Sequence, residues 1–171
     1  MPRMVELRVR PALLEEKELL GRLMQLYLHD YSEFEGSKPD ARGEFEYRHF
    51  DDYWNMPTIR FPFLIRIDGS PVGFALVRIM DNQRFSMAEF FVVRAYRRNR
   101  IGASAAKYLF EGFGGPWDVT EHPRNVPAQE FWRWLINDIT AGDWRDRSNA
   151  IIAWQQFELP PGTRPWETAP A

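Results

Sequence analysis

Between Phe63 and Val93 the chain alternates apolar runs with tight-turn signals, and this stretch constrains the fold more than any other. Phe63 to Ile67 and Val72 to Met80 are strand-length apolar runs joined by Asp68-Gly69, a pair suited to a two-residue hairpin. Asp81-Asn82 marks the next turn, and Phe85 to Val93 reads as the third strand of a meander.

The flanking sequence supplies helices and further strands. Val5, Leu7 and Val9 alternate with Glu6, Arg8 and Arg10, which predicts a half-buried strand. Pro11 suits the first turn of a helix, where its missing N–H costs little; Leu13, Leu20, Leu23, Met24, Tyr27 and Tyr31 then share one helical face. Ser32 to Gly43 reads as a loop, and Glu44 to Trp54 as a short helix or irregular segment. After the meander, Ile101, Ala105, Tyr108 and Leu109 are spaced for a helix stopped near Gly112, Gly114 and Gly115. Trp117 to Glu121 is a short strand. Asn125 caps a further helix with Pro127 in its first turn and Ala128, Phe131, Trp132, Leu135, Ile136 and Ile139 on its apolar stripe, ended by Gly142. Ala150 to Leu159 is the last strand. The order predicts an α/β (α+β) fold, a mixed sheet with helices on its faces. Residues 1–158 form one domain in this reading, and the proline-rich residues 159–171 a loose tail.

Composition narrows the function. A chain of 171 residues holds one core, burying roughly 70% of its unfolded surface. With 22 basic and 24 acidic residues the net charge is −2, so nucleic acid and anionic membrane are not expected partners. The absence of cysteine excludes disulfides, thiolate metal sites and a cysteine nucleophile. No apolar run approaches the ~20 residues of a membrane span, and Met1 to Met4 opens no signal-peptide stretch, so a soluble cytoplasmic protein is expected. His29, His49 and His122 lack metal-ligand spacing, and no metal is expected.

Chemistry concentrates in residues 89–103, where an apolar strand runs through a basic turn into a helix of small residues. The unpaired N–H groups of a first helical turn, aided by the helix dipole, suit an anion. Gly102 lets a phosphate approach backbone, Ala103 and Ser104 keep the neighbourhood small, and Arg97, Arg98 and Arg100 add positive charge. The same arginines are also compatible with a solvated turn.

Arg97-Arg98-Asn99-Arg100-Ile101-Gly102 resembles the acetyl-CoA loop of the GNAT (GCN5-related) N-acetyltransferase superfamily, Arg/Gln-x-x-Gly-x-Gly/Ala between a central strand and a helix. Asn125-Val126-Pro127-Ala128-Gln129-Glu130-Phe131-Trp132 is similar to that family's Asn-x-x-Ala-x-x-Phe-Tyr helix start, and the element order matches from about residue 5 to residue 158. The resemblance implies a mostly antiparallel central sheet whose strands ending at Val93 and starting near Trp117 splay apart to admit acetyl-CoA. It implies transfer of an acetyl group to a primary amine of a small molecule or peptide. A catalytically weak acetyl-CoA sensor is the alternative, motivated by two departures: Arg100 stands at a glycine position, and Trp132 where relatives carry the tyrosine that protonates the departing thiolate. Dimerisation is common in the family, which allows a homodimer here.

Site residues follow from the same resemblance. Backbone around Phe91, Val92 and Arg94 would meet the pantetheine arm and polarise the thioester carbonyl. Backbone N–H groups of Arg97, Arg98, Asn99, Arg100, Ile101, Gly102 and Ala103 would hold the pyrophosphate. Asn125 is a cofactor contact, a helix cap, or both. Glu89, in an apolar strand, is the expected general base, its pKa raised by desolvation; the alternative is a strand-surface Glu or a pair with Arg78. His122 either faces the active site or is a turn residue before Pro123. Tyr27, His29, Asp30, Tyr31, Glu33 and Glu35 lie where this fold builds its acceptor pocket, and their acids would favour a cationic amine; a solvated surface is the other reading.

Overall fold

The computed structural model describes residues 5–168. Its elements are β1 (Leu7–Pro11), α1 (Lys17–Glu35), α2 (Asp52–Asn55), β2 (Arg60–Ile67), β3 (Ser70–Ile79), β4 (Phe85–Val92), α3 (Ile101–Phe113), β5 (Gly115–Glu121), α4 (Val126–Ile139), β6 (Trp144–Asp146) and β7 (Ala153–Leu159), with single 3₁₀ turns at Leu14–Glu16, Arg94–Tyr96 and Pro165–Glu167. The strands form one seven-stranded sheet in the order β1-β2-β3-β4-β5-β7-β6. Neighbours are antiparallel except β4 and β5, which run parallel. The fold is thus the mixed, mostly antiparallel sheet with flanking helices that the sequence predicts.

The meander forms where expected. Asp68 (φ 48°) and Gly69 (φ 81°) both take the left-handed conformation of a tight hairpin turn. Side chains alternate across β3: Phe74 and Leu76 pack under α1 with Leu20, Leu23, Met24 and Leu28, while Ala75 and Val77 face α3 and α4 with Leu109, Phe110, Leu135 and Ile136. Gly73 is required by close approach, since a Cβ there would collide with the Phe91 carbonyl.

Four boundaries differ from the sequence reading. Pro11 does not open a helix; it ends β1, opposite Phe63, on an edge strand where a missing N–H is tolerated. The helix starts six residues later, after a turn in which the Leu13 N–H donates to Glu16 Oε2 at 3.0 Å. Its end lies at Glu35, inside the expected loop, where Gly36 (φ 80°) donates to Ser32 O at 2.8 Å and stops it. β7 begins at Ala153, because Asn149 Oδ1 accepts the N–H groups of Ile151 (2.8 Å) and Ile152 (3.1 Å) and holds a turn there. The short β6, paired through Trp144 and Phe157, is an addition to the predicted elements.

The segment after Leu159 is not loose as far as Thr168. Trp166 packs on Phe63, Phe113 and Tyr108, with ring centroids at 5.0, 4.7 and 5.8 Å. Gly112 has no room for a Cβ because that ring covers it, and the Arg164 N–H donates to the Gly112 carbonyl at 2.8 Å. Residues 169–171 of the expected tail lie outside the described residues.

Candidate active site

β4 and β5 pair only at Phe85–Trp117 and Ser86–Asp118. Arg84 buckles that closed end, donating to Asp118 Oδ1 (3.1 Å), Trp117 O (2.6 Å) and Phe157 O (3.1 Å). Past it the strands part, as predicted for this pair, and a cavity of about 470 Å³ fills the opening.

A bulge aims the residue best placed for proton transfer. Val77 lies opposite Met87 and Leu76 opposite Glu89, so Ala88 is an extra residue in β4. In a regular strand Met87 and Glu89 would share a face. Here Met87 faces α3 and α4, whereas Glu89 lies opposite Leu76 on the α1 side and lines the cavity. Burial pushes the Glu89 carboxyl up to about 7, although the Tyr27 hydroxyl donates to Oε2 and Tyr47 stands beside it to favour the ionised form. Arg78 is opposite Ser86 and pulls on Glu89 only through space. Tyr27 is itself held neutral, its pKa raised by burial and by the Glu89 charge.

Of the expected acceptor residues, Tyr27, Tyr31 and Glu35 line the cavity; His29, Asp30 and Glu33 do not. Helical rotation explains the division: positions 27, 31 and 35 share a face of α1, whereas 30 and 33 turn away from it. Asp30 instead accepts hydrogen bonds from Arg94 and Arg97, each at 2.7 Å. Partial burial alone would raise its carboxyl, but those two guanidinium groups hold it below the ordinary range. Glu33 is exposed.

The basic loop is contiguous and rests on this anchor. Arg97 also donates through Nε to the Val92 carbonyl at 2.7 Å and lies over the Phe91 ring, 5.5 Å from its centroid. Arg94 and Arg97 are therefore braces of the loop, while Arg98, Asn99 and Arg100 are exposed. Arg98 (φ 67°) and Arg100 (φ 59°) are left-handed, so Arg100 keeps the backbone a glycine would adopt and turns its side chain outward. The first α3 bond beyond the cap is Ser104 N–H to Arg100 O at 2.9 Å, which leaves the amides of Ile101, Gly102 and Ala103 as the orphan donors of a helix start. The Val93 N–H pairs with Val72 O at 2.8 Å, so strand alternation turns the Val92 N–H toward the opening. The Phe91 backbone faces β3 by the same alternation, correcting its expected contact with the arm.

Asn125 caps α4, its Oδ1 accepting the Ala128 N–H at 3.2 Å, and the residue also lines the cavity. His122 likewise accepts the Arg124 N–H at its Nδ1 (3.1 Å) and faces the cavity between Tyr31 and Phe34.

Residue-level reading missed two groups here, the segment held by Gln25, and Glu121. Gln25 binds Phe45 twice through its amide, donating to Phe45 O (2.9 Å) and accepting Phe45 N–H (2.7 Å), and so seats the segment that carries Glu46 and Tyr47 at the cavity. No periodic signal marks that segment. Glu35 joins the cavity because α1 runs past its predicted end. Glu121 was detectable: it continues the alternation of Trp117 and Val119, which places it on a buried face.

The family model for the GNAT acetyltransferase family matches residues 20–135. The chain belongs to the GNAT acetyltransferase family. Solved structures with this fold include an acetyltransferase from Thermus thermophilus, 15% identical with a TM-score of 0.67, covering 90% of this chain and 97% of that one. A GNAT-family acetyltransferase from Streptococcus pneumoniae is 15% identical with a TM-score of 0.60, covering 91% and 100%. The PaiA N-acetyltransferase from Thermoplasma acidophilum, solved in complex with coenzyme A, is 10% identical with a TM-score of 0.60, covering 90% and 99%. No curated protein sequence matches this chain. Membership supports acetyl transfer as the general activity of this chain. Among the described residues no helix is long and apolar enough to cross a membrane.

Proposed function

We propose that the chain moves an acetyl group from acetyl-CoA to the primary amine of a cationic acceptor. The observation that carries this reading is the opening between β4 and β5, with a buried carboxyl on one wall and the orphan amides of α3 at one end. The pieces fit the cosubstrate. Amides of Ile101, Gly102 and Ala103, with the exposed Arg98 and Arg100 beside them, would hold its pyrophosphate. The Val92 N–H would meet the arm that carries the thioester. Gly102 is compatible with this fit: a Cβ there would rest at ordinary contact distance from Phe90, Val92 and Phe131, 3.6–3.8 Å away, so packing does not itself demand a glycine.

The acceptor class follows from charge. Glu35, Glu46, Glu89 and Glu121 line the cavity, and its described lining contains neither lysine nor arginine. An ammonium group is drawn to such a site and must lose a proton before its nitrogen can attack. Glu89, near neutrality in pKa, can take that proton, and the neutral Tyr27 hydroxyl steadies the carboxylate that remains once the proton passes to water. Free CoA release with a panel of diamines, polyamines and amino-terminal peptides tests the reading. Turnover confined to multiply charged amines supports it. Acetyl-CoA binding without turnover on the whole panel would favour the sensor alternative, and absence of acetyl-CoA binding would remove both.

A further inference from the structure

One open hydrogen-bond donor reaches the cavity from α4. Trp132 is only 6% exposed, yet it lines the opening between β4 and β5. Its ring meets Phe90 edge-on at 5.2 Å, and Phe131 and Phe110, at 4.8 and 5.8 Å, fix the indole in place. A tryptophan has a single polar hydrogen, on Nε1. The indoles of Trp117, Trp144 and Trp154 each donate to a protein oxygen, whereas Trp132 makes no such bond among the described residues. Its Nε1 is not sealed either, in contrast to Trp54 Nε1, which is enclosed without a partner. The space that this buried ring borders is the cavity, so the N–H opens there.

Position ties the donor to the chemistry. Phe90 follows Glu89 in β4, and the two side chains take opposite faces of the sheet. An amine that loses its proton to Glu89 attacks a carbonyl carbon held between these walls, which leaves the sulfur on that carbon within reach of the α4 side. That side offers no acid. Its other cavity residues on α4 are Asn125 and Ala128. Glu121 lies beneath, but both carboxyl oxygens are sealed from the cavity, near Gln155 and Arg133. Across the opening, Glu35 and Glu46 are exposed, and His122 packs between Tyr31 and Phe34 with its Nδ1 accepting the Arg124 N–H. Tyr27, Tyr31 and Tyr47 have their pKa values raised by burial, so each is a poorer acid than an ordinary phenol.

We propose that the Trp132 indole N–H hydrogen-bonds the sulfur as the thioester breaks, and that CoA leaves as the thiolate. The assignment rests on the acetyl-transfer reading above. The ammonium gives one proton to Glu89, which passes it to water. The amine nitrogen bonds to the thioester carbonyl carbon, and the C–S bond breaks with its electron pair going to sulfur. The second surplus proton of nitrogen leaves by the same carboxylate. The indole keeps its own proton and stabilises the charge that grows on sulfur, as a fixed donor aimed at a developing anion does. Once released, the thiolate takes a proton from water below its ordinary pKa of ~8.5.

Free CoA is the probe, and the ultraviolet absorbance of its thiolate is followed against pH in the complex. Trp132→Phe keeps an aromatic ring against Phe90 and removes the donor. It should raise the apparent pKa of the bound thiol by about one unit over wild type, because a hydrogen bond to the charged form is lost. Glu89→Gln should move it the other way, because a neighbouring negative charge is removed. In the wild-type protein, one indole N–H resonance should shift with the same pH midpoint as the thiolate absorbance, a measurement that stands even where the variant fails to fold. An unmoved thiol in Trp132→Phe, or indole resonances that all ignore the thiol, would overturn the assignment. Thermal stabilisation by CoA is scored separately. A protein that fails to bind CoA defeats the acetyl-transfer reading, whereas one that binds it with thiol and indole unmoved defeats only the role of Trp132. In turnover, Trp132→Phe should lose about tenfold in kcat, the equivalent of one pKa unit, with the thermal shift by acetyl-CoA unchanged. Wild-type kcat in this variant would also overturn the proposal.

Discussion

Glu89 makes opposite demands on stability and on activity. A carboxyl whose pKa rises from the ordinary 4.5 to about 7 on folding binds its proton more tightly in the native state. Its contribution is fully present below 4.5 and is lost as pH rises through 7, because a buried charge is then left in place of a neutral acid. In the proposed reaction activity runs the other way, since only the carboxylate can accept the amine proton. Glu89→Gln should therefore unfold at the same temperature as wild type near pH 4.5 and at a higher one near pH 8, read by calorimetry. The same variant should lose roughly 10²–10⁴-fold in kcat, along with the rise of activity through neutral pH. A variant less stable than wild type at pH 8 would mean that the Tyr27 and Tyr47 contacts outweigh burial. The position of Glu89 was readable from an apolar strand carrying one acid, as was its raised pKa. Its tyrosine neighbours were not, because Tyr47 is delivered by a loop that a distant glutamine side chain, Gln25, holds in place.

Elements place these residues through small irregularities that periodicity does not announce. The extra Ala88 in β4 reverses the facing of everything after it, so Phe90 turns to α4 and Glu89 to α1. Apolar residues lie on both sides of this central strand, so no alternation in the sequence registers the change of phase. Pro11 misled for a related reason: a fixed φ suits a helix start and an edge strand alike. The α3 start was legible in full, because strand, basic turn and small residues coincide there, and Arg100 adopts the left-handed backbone of the glycine it replaces. That element carries a sharp prediction. Gly102→Ala adds a methyl at ordinary contact distance and replaces a glycine in the first turn of α3 with a better helix former, worth less than the ~1 kcal/mol of a helix interior. The variant should melt at or above wild type and keep its thermal shift with acetyl-CoA, since alanine fits the Gly/Ala position of the loop. Gly102→Arg, in contrast, should lose most of that shift, because a long side chain there would reach the proposed pyrophosphate space. Full retention of the shift in Gly102→Arg would place the pyrophosphate elsewhere. Arg98→Ala should weaken the same shift in a salt-dependent way and leave the melting point of the free protein unchanged.

At the scale of the molecule, one sheet is split in the middle and tied at both sides, and the ties were the hardest part to foresee. The order of the first four strands follows from short connections, but the placing of β7 between β5 and β6 depends on which edges remain open after the meander has formed. The return of residues 160–168 onto α3 was equally hidden, since four prolines after Leu159 read as extended chain. Pro160, Pro161 and Pro165 instead lead Trp166 over the bare surface of Gly112, against Phe63 and Phe113, and Arg164 lies over the Phe61 and Phe113 rings at 5.5 and 5.4 Å. This contact sits away from the cavity, whose described lining includes none of these residues. Trp166→Ala should therefore cost about 3 kcal/mol of stability, at the low end for a tryptophan because the ring is only partly buried. Cutting the chain after Leu159 should cost at least as much. Acetyl-CoA should still raise the melting point of both variants by the wild-type increment, because ligand and tail stabilise separate regions and their effects add. An increment that shrinks with the tail would mean that the C-terminal segment sets the α3 position on which the cosubstrate site depends.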